Sequence, residues 1–131
     1  MKRTGILNRP LSAAIAGLGH GDMLVVADAG LPTPKGVERI DLALVPGVPS
    51  FRQAIEAIRQ EMEVERLIIA QEALERSPQV IRMLEELFPG RPVERIPHAE
   101  FKERTRGAAA IVRTGECTPY ANVILISGVT F

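Results

Sequence analysis

Residues 23–27 read Met-Leu-Val-Val-Ala, a short run without polar side chains that ends abruptly at Asp28. Two of the five residues are β-branched, which favours an extended strand. Apolar residues on both faces of a strand indicate that both faces are covered, as in sheets that carry helices on each side. This stretch therefore predicts an α/β domain built around a buried strand.

The segments around this strand alternate between helical and extended patterns. A helix is predicted from about residue 9 to 18, because Asn8 can cap it, Pro10 suits its first turn and Gly19 can end it. Further helices are predicted at 51–62, 78–88 and 99–106, and further strands at 40–45, 64–70, 93–96, 108–112 and 121–126. The order predicts a single compact α/β domain over residues 1–131, with a mixed sheet and flanking helices.

Composition excludes several classes of function. The 131 residues include 16 basic and 16 acidic side chains, so no net charge attracts nucleic acid or an anionic membrane. No apolar window is long enough to span a bilayer. Cys117 is the only cysteine, which predicts a reducing compartment and hence a cytoplasmic protein. Neither a zinc-ligand spacing nor a phosphate-binding loop is present, so we expect no metal and no cofactor.

Two residues that flank the apolar strand are candidates for chemistry. His20 lies among glycines just after a helix, where it is either an accessible proton-transfer group or a solvated histidine beside the helix C-terminus. Asp28 follows the strand, where ligands of α/β folds commonly bind, but it also suits an Asx turn. A five-residue strand would separate the two by roughly 16 Å. We therefore expect any site that uses both to be shared between subunits.

Two later segments offer hydrogen-bonding groups. His98 and Lys102 are four residues apart on a predicted helix and would share a face, although both also suit a solvated first turn. Tyr120 and Asn122 end the polar stretch 113–122 between two apolar runs. A tyrosine ring and an amide can bind a sugar, and a polar loop with a turn at Pro119 is the simpler alternative.

The whole chain, from Gly-Ile-Leu-Asn at 5–8 to Phe131, resembles the D-ribose pyranase family. The resemblance rests on Leu-Gly-His-Gly-Asp at 18–22, Ala-Asp-Ala-Gly-Leu-Pro at 27–32 and Arg-Thr-Gly-Glu-Cys-Thr-Pro-Tyr-Ala-Asn at 113–122. The last stretch is the specific one. Fucose mutarotases are similar in fold and chemistry, and the Thr-Pro-Tyr-Ala-Asn pattern favours ribose over fucose.

The resemblance implies an enzyme that interconverts the pyranose and furanose forms of D-ribose without a cofactor or metal. It implies that His20 is the proton donor. It further implies a set of sugar-binding residues, namely Asp28, His98, Lys102, Tyr120, Ala121 and Asn122. A ring-shaped homo-oligomer, commonly a decamer, and a place in ribose catabolism are also implied. The alternatives are a fucose mutarotase, a non-catalytic sugar-binding regulatory module and a structural oligomerisation protein.

Overall fold

The computed structural model describes residues 1–131 as a six-stranded sheet with helices on both faces. The strands are β1 (Met23–Ala27), β2 (Glu38–Asp41), β3 (Val64–Ala70), β4 (Val93–Ile96), β5 (Ala110–Arg113) and β6 (Val123–Ser127). The helices are α1 (Arg9–Gly17), α2 (Phe51–Arg59), α3 (Ala73–Arg76), α4 (Pro78–Leu87) and α5 (His98–Arg104), and a 3₁₀ turn follows at Thr105–Gly107. None of these helices combines the length and the apolar character that crossing a membrane requires.

The sheet is mixed, as the sequence predicts. Its strand order is β2-β5-β1-β6-β3-β4. The β2–β5, β5–β1 and β3–β4 pairs are parallel, whereas β6 runs antiparallel to both β1 and β3. Strand β6 therefore joins two parallel halves into one sheet.

The apolar strand β1 contacts a core layer on each of its faces. Leu24 and Val26 point to the larger cluster, which the apolar stripes of α1, α2 and α4 complete. Val25 and Ala27 point to the smaller cluster, in which Phe101 of α5 is fully buried. This alternation explains why β1 carries no polar side chain and confirms that helices cover both faces.

Several predicted boundaries differ from the structure. Strand β2 lies at Glu38–Asp41 rather than 40–45, because it pairs along its whole length with the four residues of β5. Leu44 lies just before the turn at residues 45–48 and is 78% exposed, so the prediction of a buried strand residue there is wrong. Helix α2 ends at Arg59 rather than 62, and α3 was not predicted. The runs at 108–112 and 121–126 become strands shifted by one or two residues toward the C-terminus.

Gly115 fastens the loop after β5 to the turn at residues 45–48. Its N–H donates to the Pro49 carbonyl at 2.9 Å, and its carbonyl accepts from the N–H of Gly47 at 2.6 Å. A Cβ at this position would lie 2.5 Å from the Val48 carbonyl oxygen and 2.7 Å from that of Val45. Only glycine allows this approach, because the obstructing atoms belong to the backbone and not to flexible side chains.

We predict that Gly115→Ala lowers the free energy of unfolding by about 1–3 kcal/mol, the usual cost of overpacking. Urea denaturation followed by circular dichroism measures the change. Gly17→Ala is the matched control, because no heavy atom lies within 4 Å of the added Cβ and alanine favours the helix. Equal midpoints for the two variants would contradict the steric argument.

Candidate active site

Five of the predicted site residues line one pocket of about 430 Å³, which is within the size range of small-ligand sites. They are Asp28, His98, Lys102, Tyr120 and Asn122. Asp28 directly follows β1, His98 and Lys102 lie on α5, and Tyr120 and Asn122 precede β6. The remaining lining residues are Gly30, Leu31, Pro32, Arg76 and Pro119. The pocket thus forms where the carboxyl end of β1 meets the start of its antiparallel neighbour.

Asp28 and Asn122 orient each other through two hydrogen bonds. The N–H of Asp28 donates to Asn122 Oδ1 at 2.9 Å, and Asn122 Nδ2 donates to Asp28 Oδ2 at 3.0 Å. The other carboxylate oxygen, Oδ1, accepts the N–H groups of Gly30 and Leu31, both at 2.9 Å. The Asx turn predicted as an alternative therefore exists, and the same carboxylate faces the pocket. A turn and a ligand-facing carboxylate are compatible here.

His98 packs between two aromatic rings. Its ring lies edge-on to Tyr120, with centroids 5.1 Å apart, and is nearly parallel to the ring of Phe101 at 6.2 Å. Burial lowers the pKa of His98, and the charge of Lys102 lowers it further, whereas Glu72 and Asp28 oppose the shift. Nδ1 is buried without a hydrogen-bond partner. The imidazole is therefore neutral at pH 7 and suited to hydrogen bonding with a hydroxyl.

Glu72 does not line the pocket but holds the backbone of His98, and it was not among the residues predicted from the sequence. The N–H of His98 donates to both of its carboxylate oxygens, at 3.1 and 3.0 Å. This backbone hydrogen bond is the main reason that the pKa of Glu72 lies below its ordinary value. Glu72 follows the end of β3 by two residues, so the rule that ligands bind beyond strand ends could have drawn attention to it.

The segment that presents Tyr120 is held in an uncommon conformation. Tyr120 has φ of 59°, in the left-handed region that non-glycine residues rarely adopt, and such residues cluster at ligand sites. The hydroxyl of buried Ser77 donates to the Pro119 carbonyl and secures the turn. Ala121 is fully buried in the larger core cluster and does not line the pocket. Its side chain anchors the segment from behind.

His20 lies away from this pocket, in the turn between α1 and β1. Its side chain is 61% exposed, and its Nε2 lies 2.9 Å from Glu65 Oε2. It borders a separate hollow with Leu18, Ser127 and the C-terminal Phe131. His20 and Asp28 thus occupy opposite ends of β1, and a single chain does not bring them together.

The pocket offers several different hydrogen-bonding side chains to a ligand. It combines a carboxylate, an amide, a phenol, an imidazole and an ammonium group, which together can donate to and accept from several hydroxyls. No three His, Cys, Asp or Glu side chains anywhere in the chain are grouped as metal ligands. Cys117 is exposed, and its thiol donates a hydrogen bond to the Gly115 carbonyl at 3.4 Å. The arrangement suits a polyhydroxylated ligand such as a sugar.

Comparison with known proteins gives one consistent result. Residues 1–130 match the sequence model of the RbsD / FucU transport protein family. The chain is 53% identical to the D-ribose pyranase of Laribacter hongkongensis and 56% identical to that of Symbiobacterium thermophilum, with full coverage of both chains in each case.

Solved structures show the same relationship. The structure of Bacillus subtilis RbsD complexed with D-ribose superposes with a TM-score of 0.97, at 48% identity and with 100% of both chains covered. The fucose mutarotase of Streptococcus pneumoniae in complex with L-fucose has a TM-score of 0.80 over 94% of each chain. Its 24% identity shows a shared fold alone.

We predict that Glu72→Gln lowers the free energy of unfolding at neutral pH but not in acid. Because the folded-state pKa of Glu72 is below the ordinary 4.5, its contribution is complete above that value. The contribution declines as the pH falls below 4.5 and is lost once the folded-state carboxylate is protonated. Urea denaturation of both proteins at a series of pH values measures the difference. A difference that grew on acidification would contradict the assignment.

Proposed function

The chain belongs to the RbsD / FucU transport protein family, and we propose that it interconverts the pyranose and furanose forms of D-ribose. The observation that carries the proposal is the meeting of Asp28, His98, Lys102, Tyr120 and Asn122 in one pocket. Full-length relatives named D-ribose pyranase, at about 50% identity, favour ribose over fucose as the substrate. We further propose that residues 1–131 form a single sugar mutarotase domain, which contributes one sugar pocket per subunit.

The pocket explains how a ribose ring would be held. Asn122 and Asp28 fix each other, so a sugar hydroxyl meets acceptors whose direction is set before binding. Neutral His98 and the Lys102 ammonium add hydrogen-bonding groups on the α5 side, and the Tyr120 ring offers an apolar face. Ala121 contributes to the segment through its backbone and its buried side chain.

The reaction itself needs proton transfer and no electron transfer. Ring opening to the aldehyde removes the proton of the anomeric hydroxyl and protonates the departing ring oxygen, and closure reverses both steps. We assign His20 as the proton donor, because imidazole exchanges protons near neutral pH. Asp28 and His98 orient the sugar or accept the anomeric proton. No cofactor or metal enters this scheme.

The separation of His20 from the pocket supports a site formed by two subunits. His20 lies at the start of β1 and Asp28 beyond its end, so one chain cannot direct both at the same sugar. A closed homo-oligomer, for which we propose a decamer, repeats the required interface in every subunit. We further propose a cytoplasmic location and a role in ribose catabolism, which match the lone cysteine and the named relatives.

Magnetisation-exchange NMR on D-ribose tests the activity directly. The protein should accelerate exchange between pyranose and furanose signals. His20→Ala should lower the catalysed exchange rate by about 10²- to 10⁴-fold. The variant should fold normally, because the side chain is exposed. Ribose that binds without any acceleration would instead indicate a sugar-binding module. Faster exchange with L-fucose than with ribose would indicate a fucose mutarotase.

Subunit exchange tests the shared site. His20→Ala and Asn122→Ala should each be inactive alone, because the first lacks the proton donor and the second lacks the group that orients Asp28. In a 1:1 mixture with random exchange, about a quarter of the sites combine an intact His20 with an intact pocket. Exchange of ribose ring forms should therefore return to about that fraction of wild-type activity. No recovery after verified subunit exchange would show that each chain is self-sufficient.

A further inference from the structure

We infer that Glu65 is a positioning residue for His20, holding the imidazole by Nε2 and leaving Nδ1 to exchange protons with the sugar. The inference rests on the proposed function, in which His20 is the proton donor. Nε2 of His20 lies 2.9 Å from Oε2 of Glu65. An ionised carboxylate only accepts hydrogen bonds, so this contact requires the proton on Nε2. Nδ1 is then the nitrogen that gains and loses a proton.

A bulge in β3 directs Glu65 toward His20. Val64 and Arg66 pair with adjacent residues of β6, so two steps along β3 match one step along its neighbour. Glu65 is the extra residue, and bulges of this kind re-aim side chains next to active sites. Val64 and Leu67 pack in the same core cluster, although a three-residue spacing would place them on opposite faces of a regular strand. The extra residue in the bulge explains why both side chains lie on the same face of the sheet.

The turn of His20 and the bulge of Glu65 are fixed to the same end of β6. Gly21 donates its N–H to the Ser127 carbonyl at 2.8 Å, and the Ser127 N–H donates to the Asp22 carbonyl at 2.9 Å. A Cβ on the next residue, Gly128, would lie 3.2 Å from the Cβ of Glu65. The chain therefore passes closely over the bulge immediately after it holds the turn. The turn that carries His20 and the bulge that carries Glu65 are therefore both held by the end of β6.

Neighbouring acids are engaged elsewhere. Asp22 accepts a backbone N–H within its own turn, and Glu61 and Glu63 each pair with a basic side chain. Glu65 makes no ion pair with a lysine or arginine, and its only charged partner is His20. This acid is therefore available to the imidazole alone.

Stability does not explain the contact. The side chains of His20 and Glu65 are 61% and 40% exposed, and ion pairs in water contribute little to folding. A role in catalysis does explain it, because proton transfer requires an oriented imidazole. When His20 enters a neighbouring subunit's pocket, water leaves the pair, and the attraction between carboxylate and imidazolium strengthens. The restrained ring then presents Nδ1 in a fixed direction.

The proton balance is simple. In ring opening, the imidazolium passes the Nδ1 proton to the ring oxygen while the bond from that oxygen to the anomeric carbon breaks. The proton of the anomeric hydroxyl leaves to an acceptor in the pocket or to water. His20 becomes neutral with its Nε2 proton still bound to Glu65, which stays ionised throughout. Ring closure restores the imidazolium.

Three variants test the inference by ribose exchange kinetics. Glu65→Ala should lower kcat by at least roughly tenfold with little change in KM, because the sugar is held by the other pocket. Glu65→Gln should lower kcat several-fold, since its amide oxygen accepts from Nε2 without a charge. Glu63→Gln is the matched control, because Glu63 pairs with Arg91 and not with His20. It should behave as wild type.

Two further readouts separate positioning from a structural role. ¹⁵N NMR of neutral His20 should show the Nε2–H tautomer in the wild type and a tautomer mixture in Glu65→Ala. The His20→Ala/Glu65→Ala double variant should be no slower than His20→Ala, because Glu65 acts only through the imidazole. A Glu65→Gln protein with wild-type kcat would overturn the inference, as would additive losses in the double variant. Wild-type activity in His20→Ala would instead overturn the proposed function.

Discussion

The burial of β6 between β1 and β3 is the constraint on which both functional ends of the molecule depend. All five residues of β6 are buried, so its backbone groups must pair with ladders on either side. That pairing fixes the register, and the register fixes the residues at its two ends. Asn122, just before β6, meets Asp28, whereas Ser127, its last residue, holds the turn of His20. One strand therefore positions both the pocket and His20, the proposed proton donor.

The same rigidity keeps these two ends apart. Each end of β1 and β6 is fastened by hydrogen bonds, so neither Asp28 nor His20 can move along the sheet to meet the other. Assembly of several subunits is the remaining way to combine them. Under this proposal the oligomer is part of the chemistry and not only of the stability. Because the imidazole of His20 is exposed, it can then project into the pocket of a neighbouring subunit.

Some residues of the candidate site can be predicted from the local sequence, and others cannot. Asp28 ends an apolar strand, and Tyr120 and Asn122 lie in a polar stretch between apolar runs, so position alone drew attention to them. Glu72 has no signal in the sequence beyond its place two residues after β3, and Glu65 looks like an ordinary surface acid. The first owes its place to the approach of α5 to the end of β3, and the second to a bulge. Contacts between distant segments leave no local pattern.

Local chemistry explains what the sequence determined by itself. Asn8 caps α1, as the sequence predicts, and Ser50 forms a capping box with Gln53 at the start of α2. These hydrogen bonds join residues three apart, so the local sequence is enough to specify them. The apolar run of β1 likewise required cover on both faces. The limits of β2, the antiparallel placement of β6 and the bulge at Glu65 were decided only by tertiary structure. Strand pairing depends on partners far along the chain, and many partners satisfy the same apolar pattern.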